Sequence, residues 1–227
     1  MTVVWPLLAL VAAYFLGSIP TGFILIRATR RRDLTKWHSG RTGGTNVARV
    51  GGFWSGLFTA TGDALKAAGA VWLARWLTGG MVWIEVLAGV IAVFGHNNSV
   101  FLYQRNGNGW RLGGGAGGAS SVGAAFALHY AVGLLSVPIG VILLFVVGYA
   151  SVATMSIGPS VALMFAIRAW LGDGPWEYIG YGLLVELVVL WALRPNIQRL
   201  LRGEERIVGL RARRSRNGKN STESEEA

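Results

Sequence analysis

Val3-Val4-Trp5-Pro6-Leu7-Leu8-Ala9-Leu10-Val11-Ala12-Ala13-Tyr14-Phe15-Leu16-Gly17-Ser18-Ile19-Pro20-Thr21-Gly22-Phe23-Ile24-Leu25-Ile26 carries no charge and is followed by Arg27, Arg30, Arg31 and Arg32. A helix needs about 20 apolar residues to cross the hydrocarbon core of a bilayer, and this run supplies them. No basic stretch precedes it and no obvious cleavage site follows it, so it reads as a retained first span. Lys and Arg concentrate in cytoplasmic loops, so the arginines place its far end in the cytoplasm and the N-terminus outside. In its inner half, Gly17-Ser18-Ile19-Pro20-Thr21-Gly22 offers small residues for close helix packing and a proline that bends the helix.

The rest of the chain has the same character. Of 227 residues, 52% are hydrophobic and 14% charged, which excludes an ordinary soluble domain. Apolar runs near 20 residues recur, and lipid forces their backbone groups to pair internally, as helices do. The alternating ten-residue segments of a membrane barrel are absent from the sequence. The expectation is therefore an all-α, polytopic transmembrane helical bundle. The formal net charge of +10 sits at the ends of apolar runs and in the tail, as loop bias and anionic headgroups require, and does not argue for nucleic acid. With no cysteine there is no disulfide, thiolate nucleophile or Cys-based metal site, and the three histidines are scattered, so neither metal nor cofactor is expected.

A loop from Arg27 to Gly52 holds seven Lys or Arg residues and is expected in the cytoplasm. Spans over Phe53–Leu77 and Met81–Phe94 follow, then a polar, glycine-rich segment from Gly95 to Gly118 containing Arg105 and Arg111. From Ala119 to Leu171 the chain is apolar, broken at Pro138, at Gly148–Ser151 and at Gly158-Pro159. The last span covers Trp176–Leu193. Arg111 and Arg194 both belong on the cytoplasmic side, so an even number of spans separates them. Four gives about seven in all, some short or broken; two would give five. Residues 1–210 form a single integral-membrane domain, and 211–227 a polar cytoplasmic tail expected to be disordered.

Three polar blocks interrupt the apolar chain. In His38-Ser39-Gly40-Arg41-Thr42-Gly43-Gly44-Thr45-Asn46-Val47-Ala48-Arg49, glycines let backbone N–H groups converge on an oxyanion, and Ser, Thr, Asn and Arg add donors. A structured turn with Arg49 as an interfacial anchor is the plainer reading. Asp63 and Lys66 lie three residues apart on one helical face in the next span, either as a structural ion pair or in contact with substrate. His96, beside Asn97, can serve as a general base, a hydrogen-bonding clamp or simply the end of its helix. His129, lone among apolar residues, reads as a packing residue. Glu85 and Glu186 are intramembrane carboxylates without an obvious partner. The run Gly113-Gly114-Gly115-Ala116-Gly117-Gly118-Ala119-Ser120-Ser121 lacks the βαβ context of a dinucleotide motif; it leads into a helix as a potential anion site or as a linker. In the last block Asn196, Arg199 and Gly203 share a face of a helix that could equally be an interfacial anchor.

Taken in order, these blocks resemble the bacterial acyl-phosphate:glycerol-3-phosphate acyltransferase family over nearly the whole chain. The family's GSGNxGATNVxR is matched by Ser39, Gly40, Gly43, Thr45, Asn46, Val47 and Arg49. Its DxLK is matched by Asp63-Ala64-Leu65-Lys66, and its GHNxPVF by Gly95, His96, Asn97, Val100 and Phe101. Its NIxRLxxGxE is matched by Asn196, Ile197, Arg199, Leu200, Gly203 and Glu205. The chain departs from KGGKGVAT, where Gly113 and Ala116 replace both lysines, and Arg41 replaces the first motif's first asparagine. An insertion containing Arg105 and Arg111 precedes the glycine loop. Lysines there would bind phosphate by charge, which leaves backbone amides and Arg41, Arg105 or Arg111 to compensate.

The resemblance implies transfer of an acyl chain from acyl phosphate to the 1-hydroxyl of glycerol 3-phosphate, giving lysophosphatidic acid, in the bacterial inner membrane. Its partners would be those two substrates and membrane lipids. It places Ser39, His96 and Asn196 at the reacting centre. Thr45, Asn46, Arg49, Lys66, Asn97, Arg199 and the amides of Gly114, Gly115 and Gly117 would hold substrate, and Glu205 would orient the arginines. Two other readings go with the departures: a degenerate member acting as a lipid-binding or regulatory membrane protein, and a transporter or transferase with a less anionic substrate.

Overall fold

The structure, a computed structural model, describes residues 3–106 and 109–208. The tail expected beyond Arg211 lies outside the described residues. Helices α1 (Val4–Ser18) and α2 (Thr21–Arg30) make up the first apolar run. A short 3-10 turn (Leu34–Lys36) then leads to α3 (Gly44–Gly51), α4 (Phe53–Thr78) and α5 (Val82–Asn97). Strands β1 (Ser99–Asn106) and β2 (Gly109–Gly113) form a hairpin. The chain finishes with α6 (Gly118–Leu128), α7 (Tyr130–Val146), α8 (Ala150–Met155), α9 (Ile157–Trp170) and α10 (Glu177–Leu201).

Three helical segments are long and apolar enough to cross a bilayer: Val4–Arg30, Ala150–Trp170 and Glu177–Leu201. Three more, α5, α6 and α7, are apolar but shorter. The 26-residue α4 carries Asp63, Lys66 and Arg75. Together these are counterparts of the about seven apolar segments expected from the sequence, interrupted at Ile19-Pro20, His129 and Gly148.

Small residues set the packing. A Cβ on Gly17 of α1 would run into the backbone of Ala92 on α5, and one on Gly123 of α6 into that of Ala64 on α4. Without a hydrophobic drive between helices in lipid, close backbone approach through such residues is what holds them together. Ala9, Ala13, Ala67, Ala68, Ala88 and Ala92 fill the same interfaces fully buried.

Two expectations are corrected. The first run does not merely bend at Pro20 but stops: α1 ends at Ser18, and Ile19 is extended at φ −55°, ψ 116°. Proline disfavours the helical conformation in the residue before it, and here the Ser18 and Ile19 carbonyls are released. Ser99 Oγ donates to the first at 2.5 Å and Lys66 Nζ to the second at 2.6 Å. Secondly, neither Pro138 nor Gly158-Pro159 breaks the apolar stretch: α7 runs through the first and α9 through the second. Within the helical bundle the polar Gly95–Gly118 segment takes two forms. Helix α5 continues through Asn97, and the rest is mostly an antiparallel hairpin in which Tyr103 pairs with Leu112. The Tyr103 and Trp110 rings meet at 4.3 Å across it.

Glu85 gains the partners the sequence did not show. Arg75 Nη2 donates to its Oε2 at 2.6 Å and Tyr178 Oη to the same oxygen at 3.0 Å, which joins α4, α5 and α10 at the end remote from the glycine loop. A buried carboxylate stripped of its partner is costly. Arg75→Met is therefore expected to lower the melting temperature of the purified protein, with a loss of about 2–3 kcal/mol, while activity per folded molecule stays unchanged. His129 sits in the extended break between α6 and α7, its ring stacked on Tyr130 at 4.9 Å. Glu186 lies against Gly158 of α9.

Candidate active site

The loop between α2 and α3 is built by local hydrogen bonds. Asp33 accepts from the Thr35 hydroxyl at 2.7 Å and from its backbone N–H at 3.1 Å, which holds its carboxyl below the usual carboxylate range. Gly40 turns the chain at φ 67°, a conformation that strains any side chain. Asn46 Nδ2 then donates to the carbonyls of Arg41 at 2.8 Å and Trp37 at 3.2 Å, closing the loop onto the start of α3. Thr42 N–H donates to Gly114 O at 3.1 Å, so the first loop is pinned directly to the glycine loop.

Behind them lies a buried polar cluster on α4 and α5. Asp63 Oδ1 is 2.9 Å from Lys66 Nζ and 3.4 Å from His96 Nδ1, and Lys66 Nζ is 3.0 Å from that same ring nitrogen. Thr21 Oγ1 also donates to Asp63 Oδ1. The Asp63 and Lys66 side chains are 2% and 6% exposed, so the pair faces protein and not lipid. An ammonium has only protons to give; it makes Nδ1 of His96 the acceptor and leaves the ring proton on Nε2. Nε2 points at Gly115, where a Cβ would overlap it.

At the other wall, Asn196 of α10 donates through Nδ2 to Glu205 Oε1 at 3.1 Å. Its Oδ1 accepts from Arg41 Nη2 at 3.3 Å. Glu205 Oε2 is 3.7 Å from Arg199 Nε. Gly203, at φ 72°, turns the chain after α10 so that Glu205 comes back to Asn196.

These walls enclose a cavity of about 550 Å³. Ser39, Thr45, Asn46, Arg49, His96, Gly117, Asn196, Arg199 and Glu205 line it, so residues from all the separated blocks meet at one place. Lys66, Asn97, Gly114 and Gly115 do not line it. Lys66 stands behind His96, and the Asn97 amide faces Gly117 with both polar atoms lacking a hydrogen-bond partner. The Gly115 N–H donates to His96 O at 2.9 Å and is not free for a ligand. The amides that open α6 have no intrahelical partner, and Gly118 and Ala119 there line the cavity after the left-handed turn at Gly117 (φ 98°).

Charged and apolar residues share the cavity. Arg41, Arg49, Arg199 and Arg206 line it. Burial, then Arg199 and Arg111, pushes the Arg41 guanidinium down from its ordinary value; burial, then Arg206, does the same to Arg49. Guanidinium stays charged through such shifts, so the cluster is a standing demand for an anion. Leu57 of α4 and Val141, Leu144 and Phe145 of α7 give it an apolar wall as well. Ser39 Oγ accepts only a long 3.4 Å contact from Arg41 N–H, with no base hydrogen-bonded to it among the described residues.

A family model described as glycerol-3-phosphate acyltransferase matches residues 7–203. The chain belongs to that family. A glycerol-3-phosphate acyltransferase of Thermosynechococcus vestitus is 36% identical over 217 residues, covering 91% of this chain and 96% of the relative. One of Thermus thermophilus is 36% identical over 215 residues, with 92% and 96% covered. In structure the chain resembles PlsY (YgiH), an integral membrane glycerol 3-phosphate acyltransferase solved in its glycerol 3-phosphate form. The TM-score is 0.74 at 29% identity, over 90% of this chain and 96% of that one. Its lysophosphatidic acid form gives 0.73 at 27% identity, over 90% and 95%. With its apolar helices, this family member is a multi-pass membrane protein and an acyltransferase.

Sequence reasoning missed His38, Ser151, Thr154 and Arg206 among the cavity residues. Arg206 ends the stretch that includes Asn196 and Glu205, but its place in the cavity depends on a return of the chain. Val208 N–H donates to Gly148 O at 2.7 Å, and Tyr149 pairs with Ile207. No residue spacing announces that pairing.

Proposed function

We propose that the protein transfers an acyl chain from acyl phosphate to the 1-hydroxyl of glycerol 3-phosphate, releasing inorganic phosphate and giving lysophosphatidic acid. One observation carries the reading: an arginine cluster, helix-start amides and an apolar wall meet in a single cavity, as a substrate with a phosphate head and a fatty tail requires. The arginines and the start of α6 take phosphate groups. The apolar wall of α4 and α7 takes the acyl chain.

The chemistry asks for positioning and charge stabilisation, because acyl phosphate is already an activated mixed anhydride. The glycerol hydroxyl oxygen bonds to the acyl carbon, the bond from that carbon to the phosphate oxygen breaks, and the hydroxyl proton leaves with the phosphate. Ser39, without a base, acts as a hydrogen-bonding group and not as a covalent nucleophile. His96 presents Nε2–H, so it serves as a donor that clamps substrate; with Nδ1 given to Lys66, it is not poised to take a proton. Asn196, oriented by Glu205 and Arg41, offers its amide to the same cavity.

The arginine-rich loop, the end of α10 and the cavity lie at one end of the bundle, which the loop bias assigns to the cytoplasm, with the N-terminus outside. Arg32 over Trp37 and Arg194 over Trp191, at 4.7 and 3.2 Å to the ring centres, suit the headgroup layer of a bacterial inner membrane at that end. The test is incorporation of labelled glycerol 3-phosphate into lipid by purified protein supplied with palmitoyl phosphate, with a Ser39→Ala, Asn196→Ala double variant as blank. Product above the blank is expected. None, from monodisperse protein, returns the reading to a degenerate lipid-binding member.

A further inference from the structure

We propose that Arg41 is a positioning residue that gives the glycine loop the fixed shape and the positive charge its own side chains lack. Gly113 to Ser120 contains neither Lys nor Arg. Arg41 Nη1 donates to Gly115 O at 2.8 Å, while Nη2 donates to Ala192 O at 2.5 Å and Asn196 Oδ1 at 3.3 Å. A single planar fork thus ties the first loop, the glycine loop and the end of α10 together. All three acceptors are neutral oxygens, so the fork is satisfied while its charge is not cancelled. Arg199 and Arg111 add to that charge and Glu205 opposes it. Arg41 also lines the cavity. A bound phosphate therefore relieves repulsion among the arginines and locks the turn that Arg41 holds.

The proposal takes its substrate from the glycerol 3-phosphate reading, but its phosphate site stands without it, and the experiment separates the two. Full-length Arg41→Asn, Arg41→Lys and Arg41→Asn with Ala116→Lys are purified in detergent. Ala116 lines the same cavity and already carries a Cβ, so a lysine there restores charge without the tether. Melting temperature is measured with and without inorganic phosphate, alongside KM for glycerol 3-phosphate and kcat. A hydrogen-bonded charge is worth about one to two decades in affinity. Arg41→Asn is expected to raise KM about tenfold or more and to abolish stabilisation by phosphate. Adding Ala116→Lys recovers stabilisation and most of KM but not kcat, because Asn196 and the glycine loop stay untethered. Arg41→Lys keeps KM within about threefold and lowers kcat.

An Arg41→Asn protein with wild-type phosphate stabilisation and KM overturns the proposal. So does failure of Ala116→Lys to recover stabilisation in a variant whose ligand-free melting is unchanged. If Arg41→Asn does not fold, Arg41→Lys decides: unchanged kcat overturns. A wild-type protein that phosphate stabilises through Arg41 but that transfers no acyl group overturns the glycerol 3-phosphate reading and keeps this one. A wild-type protein indifferent to phosphate overturns this one.

Discussion

Gly115→Ala is expected to reduce acyl transfer by about a hundredfold or more while the protein still inserts and purifies. The methyl group would be built into the His96 ring, closest to Nε2. That nitrogen cannot retreat, because its ring is fixed from behind by Lys66 at 3.0 Å and Asp63 at 3.4 Å on Nδ1. Nor can Gly115 yield easily: its N–H is bonded to His96 O at 2.9 Å and its carbonyl to Arg41 at 2.8 Å. The strain falls on the positions of His96 and of the glycine loop, and a displacement of about 1 Å in a site that works by positioning costs about a hundredfold in rate. Two comparisons separate this from a general intolerance of alanine. A Cβ on Gly118 meets Thr154 Oγ1 at 3.1 Å, the end of a side chain that can turn, so Gly118→Ala is expected to cost much less. Gly69 in the middle of α4 has nothing within 4 Å of a new Cβ, and Gly69→Ala should leave transfer unchanged. Equal losses at Gly115 and Gly69 would remove the steric argument.

The elements legible in the sequence are those that lipid dictates. Apolar runs, the arginines at their ends and the breaks at Pro20 and Gly148 marked most of the helices, because bilayer and backbone impose them locally, whereas Pro138 and Gly158-Pro159 are carried inside α7 and α9. The hairpin was not legible as part of a polar loop, although Val100-Phe101-Leu102-Tyr103 is rich in strand formers and Asn106-Gly107 is a turn signal. Its polar neighbours diluted both signals. Motif spacing brought most of the cavity lining together, since Ser39, Arg49, His96, Asn196 and Arg199 all reach it. Spacing could not tell lining from support. Lys66 and Asn97 sit within motifs yet face protein, and Gly115 offers the cavity no amide. Arg41 acquires its role through acceptors at Gly115, Ala192 and Asn196, on two elements far along the chain. Such contacts exist only after the helices pack.

Lys66→Met is the second large effect, and the same geometry gives its form. The substitution keeps the length of an apolar stem and removes three donors at once: those to Asp63 at 2.9 Å, to Ile19 O at 2.6 Å and to His96 Nδ1 at 3.0 Å. Breaking one side of a buried ion pair costs about 3–5 kcal/mol, so a lower melting temperature is expected. Stability alone does not carry the prediction. With the ammonium gone, Nδ1 has Asp63 Oδ1 as its remaining polar neighbour at 3.4 Å, and a carboxylate accepts where the ammonium donated. The ring proton is then drawn to Nδ1, and Nε2 becomes an acceptor. A clamp that should donate to substrate oxygen is inverted, and kcat is expected to fall about a hundredfold beyond any loss of folded protein. The discriminating measurement is a double-mutant cycle with His96→Ala. If Lys66 acts through His96, its removal from the His96→Ala protein costs little further activity, and the coupling is about 2 kcal/mol or more. If the two losses multiply, Lys66 acts on the substrate directly, and its place behind the ring, away from the cavity wall, would need the cavity to rearrange on binding.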